Sequence, residues 1–218
     1  MARHRNPNRR TGGLRAGIFT VANAMPSEDA GERTIQREMG SSSRAARFYD
    51  RQMLPALNPT MVDLVRRQEM VFVATADARG NCDCSPRFGA PGFVTVVDPT
   101  TLAYPELRGN GVFASVGNIL ENPHIGLVFL DFFNTTVGLH VNGKAQSYTN
   151  DTLPSSLGPC LRSGHFGDGK ILERWVVITV DEAYIHCSKQ VPKLHKIDKS
   201  IDWGTDDPTA KSNDYFVG

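Results

Sequence analysis

No stretch of this chain approaches the ~20 consecutive apolar residues that a membrane-spanning helix needs. No secretory apolar segment precedes the cysteines. Charge of one sign is not in excess: 24 Lys and Arg stand against 23 Asp and Glu, a formal net charge of +1. That balance supplies no whole-chain field for nucleic acid. Cysteine is scarce, and Cys82, Cys84, Cys160 and Cys187 lack paired zinc spacing. Cys82-x-Cys84 is unsuited to an unstrained bridge in extended chain. Free thiols and a reducing, cytoplasmic setting are the expectation. No Ser-His-Asp arrangement and no metal cluster can be assembled from spacing. The glycines around His165, namely Gly164, Gly167 and Gly169, do not match the dinucleotide fingerprint, and no strand immediately precedes them. They read as a mobile surface loop.

What is present fits one sizeable globular domain. The chain has 218 residues, 40% hydrophobic and 22% charged. Residues 1–27 read as a flexible basic arm, with Arg3, Arg5, Arg9, Arg10 and Arg15 and no acid before Glu28. An Arg-rich, acid-poor start is also the composition of an organelle transit peptide, the alternative reading. Residues 28–196 read as the folded domain and residues 197–218 as a polar C-terminal extension anchored by Trp203, Tyr215 and Phe216. Helices are predicted over Ser43–Leu54 and Thr60–Gln68, the latter with Thr60 as N-cap. Strands are predicted at Met70–Ala76, Phe93–Val97, Thr101–Tyr104, Ile125–Phe133, Val137–Gln146 (interrupted at Gly143) and Trp175–Val180, with Tyr184–Cys187 extending the last after a bend. The run Ile125–Phe133 is apolar enough to be buried on both faces. Short connections and a single internal helix imply an antiparallel closed or partly closed barrel rather than a βαβ repeat.

The internal helix is predicted over Gly111–Leu120, capped by Asn110 and ended by Asn122-Pro123. The amides of such a first turn, at Asn110, Gly111 and Val112, stabilise an anion, and Arg108 stands just before them. Ser85-Pro86-Arg87 opens a further strand region, where a proline-stiffened arginine offers a forked donor to phosphate. The ordinary reading of these features is a capped helix and two solvated arginines. His140 and Lys144 on the VNGK strand are the next candidates for a phosphate.

Six motifs occur in order: GERTIQREMG at Gly31, SPRFGAPGFV at Ser85, RGN at Arg108, GNILENPHIGLVFL at Gly117, LHVNGKA at Leu139 and EAYIHCSK at Glu182. Through them, from about Asp29 to Lys189, the chain resembles the pyridoxamine 5′-phosphate oxidase-like family of flavin-binding split barrels. The resemblance implies a mainly β (α+β) fold: a six-stranded antiparallel Greek-key split barrel with flanking helices. It also implies a homodimer with flavin mononucleotide (FMN) at the subunit interface. By motif, Ser85 and Arg87 resemble flavin-contacting positions, and Tyr104 and Pro105 lie where the family's next strand meets the flavin. Arg108 and Asn110 resemble the phosphate corner. Two departures stand out. Gly111 and Val112 occupy positions where similar sequences carry arginines, and His140 stands where relatives often have arginine.

The resemblance implies a flavin-dependent oxidoreductase acting on a small molecule. A substrate phosphate of the B6 kind lacks its expected clamp, since no arginine follows Arg174. The alternative is a non-catalytic split-barrel protein for flavin, deazaflavin, heme or another planar ligand. His186 reads as a structural histidine, or as a residue near such a ligand.

Overall fold

Apolar residues at alternate positions need one covered face, and here a single curled sheet supplies it. The computed structural model describes residues 31–161, 166, 169–199 and 204–207. Three helices come first, α1 (Gly31–Glu38), α2 (Ser42–Gln52) and α3 (Pro59–Arg67). Strands β1 (Met70–Ala76), β2 (Cys82–Phe88), β3 (Thr95–Asp98) and β4 (Thr101–Leu107) follow. Helix α4 (Ala114–Glu121) precedes β5 (His124–Leu130) and β6 (Gly138–Tyr148). The short α5 (Gly158–Leu161) leads to β7 (Leu172–His186). The N-terminal arm, Trp203, Tyr215, Phe216 and most of the Gly164–Gly167 loop lie outside the described residues. No described helix is long and apolar enough to cross a membrane.

All strand pairs are antiparallel, in the order β2-β1-β5-β6-β7-β4-β3. The sheet therefore has seven strands where six were expected. The strand region marked by Ser85-Pro86-Arg87 is β2, which begins earlier, at Cys82, with no apolar alternation to announce that start. It is an edge strand, which is where Pro86 is tolerated. Asp83, Ser85 and Arg87 share the inner face with Val71 and Val73 of β1, while Cys82, Cys84, Pro86 and Phe88 face outward. One core fills the curl, with Val71 and Val73 (β1), Leu102 and Tyr104 (β4), Leu127 and Phe129 (β5), Val141 (β6) and Ile178 (β7). Val116 and Ile119 of α4 plug into it. A smaller cluster on the other side of β4 joins Ala103, Leu153, Leu161 and Trp175, with Phe166 set edge-on to Trp175 at 5.4 Å.

Several expectations need correction. β5 alternates: Ile125, Leu127 and Phe129 are buried and Gly126, Val128 and Leu130 are not. It ends at Leu130 because Asp131 starts a turn, accepting from the Asn134 and Thr135 amides and from the Thr135 hydroxyl. Helix α3 is capped by Asn58, which accepts from the Met61 amide at 2.9 Å, and not by Thr60. Gly143 does not interrupt β6. It sits at a bulge against β7, where a Cβ would come within 2.1 Å of the Thr179 carbonyl oxygen, so only glycine permits that close approach. β7 runs unbroken from Leu172 to His186 for the same reason: long strands bend at bulges instead of ending.

Candidate ligand site at the split of the barrel

The sheet curls until its two ends meet, and Arg87 of β2 reaches Glu106 of β4 across that split. Arg87 donates from Nε to Glu106 Oε2 at 3.2 Å and from Nη2 to the same oxygen at 3.1 Å. Its Nη2 also lies 3.3 Å from Ser115 Oγ on α4. Ser115 donates to Asp83 at 2.8 Å, and Ser85 donates to the same Asp83 oxygen at 3.1 Å. This network joins β2, β4 and the start of α4. Burial pushes the Glu106 carboxyl pKa up, and Arg87 opposes that shift.

Helix α4 starts later than the sequence suggests. Gly111 and Phe113 both take left-handed backbone, φ 79° and 52°, and the helix opens at Ala114. Asn110 is therefore not its cap. Asn110 instead accepts from the Val112 amide at 3.0 Å, a local turn that withholds the 110–112 segment from the helix. Val112 is largely exposed. Phe113, the residue at its N-cap, makes no side-chain cap bond, and Ser115 of its first turn lies 3.3 Å from Arg87 Nη2. An uncapped helix start next to a guanidinium is an anion-binding arrangement.

Arg108 lies on the same rim but has its own partners. Nε donates to Glu173 at 2.8 Å and Nη1 to Asp206 at 2.6 Å. The 204–207 segment packs there, with Gly204 bridged to Arg108. The Glu173 carboxylate in turn repels Glu106 and adds to the rise of its pKa, so the two arginine pairs are electrostatically linked. Tyr104 is wholly buried inside the barrel, its hydroxyl without a hydrogen-bond partner among the described residues, and burial drives its phenol pKa far upward. Pro105 is on the opposite face of β4 and lines a pocket of ≈ 180 Å³ with Phe93 and Leu107.

The expected residues thus divide. Ser85, Arg87, Arg108, Asn110, Gly111 and Val112 cluster around the split and the approach to α4. His140 and Lys144 do not join them; they lie on the outer face of β6, Lys144 exposed and His140 half-buried. His140 stacks on Tyr184 at 4.8 Å and meets His186 at 2.9 Å, and burial, then His186, lower its pKa. Asp83, Glu106, Ser115 and Glu173 join the candidate residues through their hydrogen bonds, and sequence reasoning missed them. The polar alternation Asp83-x-Ser85-x-Arg87 was the available signal for the first of them. Arg87 and Ser115 are the donors gathered at this corner, and Glu106 is the acceptor that Arg87 already holds.

A curled antiparallel sheet with a plugging helix and open edges that meet at a split is a split barrel. Residues 57–187 match the family described as pyridoxamine 5′-phosphate oxidase, and the chain belongs to that family. Among solved structures, HupZ of Group A Streptococcus is similar at 21% identity and a TM-score of 0.48, over 64% of this chain and 99% of that one. HutZ, the heme storage protein of Vibrio cholerae, is similar at 14% identity and TM-score 0.42, over 59% and 94%. The FAD binding protein of Mycobacterium smegmatis gives 12% and 0.41, over 60% and 97%. No curated protein matches the chain.

Proposed function

We propose that this chain binds FMN at the split of its barrel, as a homodimer, and serves a flavin-dependent oxidoreduction of a small molecule other than pyridoxamine phosphate. The observation that carries the reading is the uncapped start of α4 beside Arg87 and Ser115. There the phosphate takes the place of the Glu106 carboxylate as the partner of Arg87. Glu106 is the anion most easily surrendered, because burial already disfavours its charge. Arg108, held between Glu173 and Asp206, shapes the rim. Bound flavin supplies the redox chemistry, so the protein needs no nucleophile and contributes binding, orientation and exclusion of water. The second copy covers the outer face around Ala74, Cys84 and Gly126, a shallow groove of ≈ 580 Å³ between small side chains.

A second reading is a non-catalytic barrel for flavin, deazaflavin, heme or another planar ligand. Four carboxylates, Asp83, Glu106, Glu173 and Asp206, surround the two arginines, and that excess suits a ligand with less negative charge. The visible spectrum of the purified protein, followed by titration with FMN and with riboflavin, separates the readings. Yellow protein, or FMN binding at least tenfold tighter than riboflavin, is expected. Equal affinity for the two, or binding of neither, removes the phosphate site.

A further inference from the structure

We infer that His140 and His186 form a chelating site for a single divalent transition-metal ion on the outer face of the barrel, separate from the split. The two residues are diagonal neighbours on adjacent strands, since His140 pairs with Tyr184 and His186 with Gly138. Their facing nitrogens, Nε2 of His140 and Nδ1 of His186, are 2.9 Å apart. Their ring centroids are 5.1 Å apart. Two imidazoles bound to one tetrahedral ion at ~2.0–2.1 Å have centroids about 5 Å apart. The rings therefore already stand at chelating separation, and only a small reorientation opens the nitrogens around an ion. Each neutral ring then carries its one proton on the outer nitrogen, Nδ1 of His140 and Nε2 of His186.

The surroundings hold this geometry. Tyr184 stacks on the His140 ring at 17° interplanar angle, and Phe48 of α2 sets an edge against Tyr184 at 5.7 Å. Gly138 makes room for His186: a Cβ there would stand 2.8 Å from the His186 Cβ. Both histidines are half-buried rather than enclosed in the core. Among the described residues no group of three or more His, Cys, Asp or Glu is placed to hold a metal. The site thus has two protein ligands, with water completing the shell. Imidazole donors suit Zn²⁺, Ni²⁺ and Cu²⁺ over Mg²⁺ or Ca²⁺.

The test is calorimetric titration of the full, chelator-treated chain with Zn²⁺ and with Ni²⁺, alongside His140→Gln and His186→Gln. Thermal melts show that each variant stays folded, and Cys187→Ser checks the exposed neighbouring thiol. One ion per chain, weakened at least tenfold by either histidine change and unaffected by Cys187→Ser, is expected. Wild-type affinity in either folded histidine variant, or no binding by the wild type up to millimolar metal, overturns the inference.

Discussion

Glu106→Gln should strengthen FMN binding, an unusual direction for a change inside a binding site. In the structure Glu106 holds Arg87 through both Nε and Nη2, and both side chains are mostly covered, Arg87 at 21% and Glu106 at 14% exposure. A hydrogen bond to a charged group contributes roughly 1.5–3 kcal/mol. The glutamine keeps one acceptor for Arg87 and loses the charge, so about 1–2 kcal/mol of competition disappears. That corresponds to ~5–30-fold tighter FMN. Fluorescence quenching titrations on wild type and variant measure it directly. Riboflavin, which has no phosphate, gains nothing. Loss of the ion pair also loosens the split, so a melting curve accompanies each titration. Unchanged or weaker FMN binding by a folded Glu106→Gln chain refutes the idea that phosphate and Glu106 compete for Arg87.

Gly143→Ala forces a Cβ to 2.1 Å from the Thr179 oxygen, so strands β6 and β7 must part at the bulge. A cost of about 2 kcal/mol lowers Tm by ~4–8 °C, read by calorimetry; an unchanged Tm contradicts the close approach. Burial acts against the charge of Asp131, but the Thr135 hydroxyl and the Asn134 and Thr135 amides outweigh it, and the carboxyl pKa is lowered. A lowered folded-state value means Asp131 stabilises above the unfolded carboxylate range, ~4, and stops doing so as pH falls through its folded value. Asp131→Ala should therefore cost about 1–3 kcal/mol at pH 7 and much less near pH 2 in urea melts. Sedimentation should give a dimer at micromolar concentration, and a monomer there removes the interfacial flavin site.

The sequence made most strands legible because their core-facing positions are apolar and regularly spaced. β1, β4, β6 and β7 fall close to their expected places on that ground. β2 was marked only by Ser85-Pro86-Arg87, because its inward residues Asp83, Ser85 and Arg87 are polar groups that bond one another, Ser115 and Glu106 instead of packing. The start of α4 was misread because Asn110 is a good cap by type. Left-handed backbone at Gly111 and Phe113 then spends three residues on a turn before the helix begins. The partners of the arginines could not be seen at all. Glu173 and Asp206 lie 65 and 98 positions from Arg108, and only the curl of the sheet brings them to it. The family motifs marked Arg87 and Arg108, while the charge balance around them is a property of the fold.

The most direct measurement is FMN and riboflavin affinity for Arg87→Ala beside wild type, with folding checked by melting. Arg87 is the guanidinium beside Ser115 and the α4 start, and its removal takes away a charged hydrogen bond of roughly 1.5–3 kcal/mol. FMN should bind about tenfold to a hundredfold more weakly, while riboflavin affinity stays as in the wild type. Undiminished FMN affinity in a folded Arg87→Ala chain, or an equal loss for both ligands, contradicts the account.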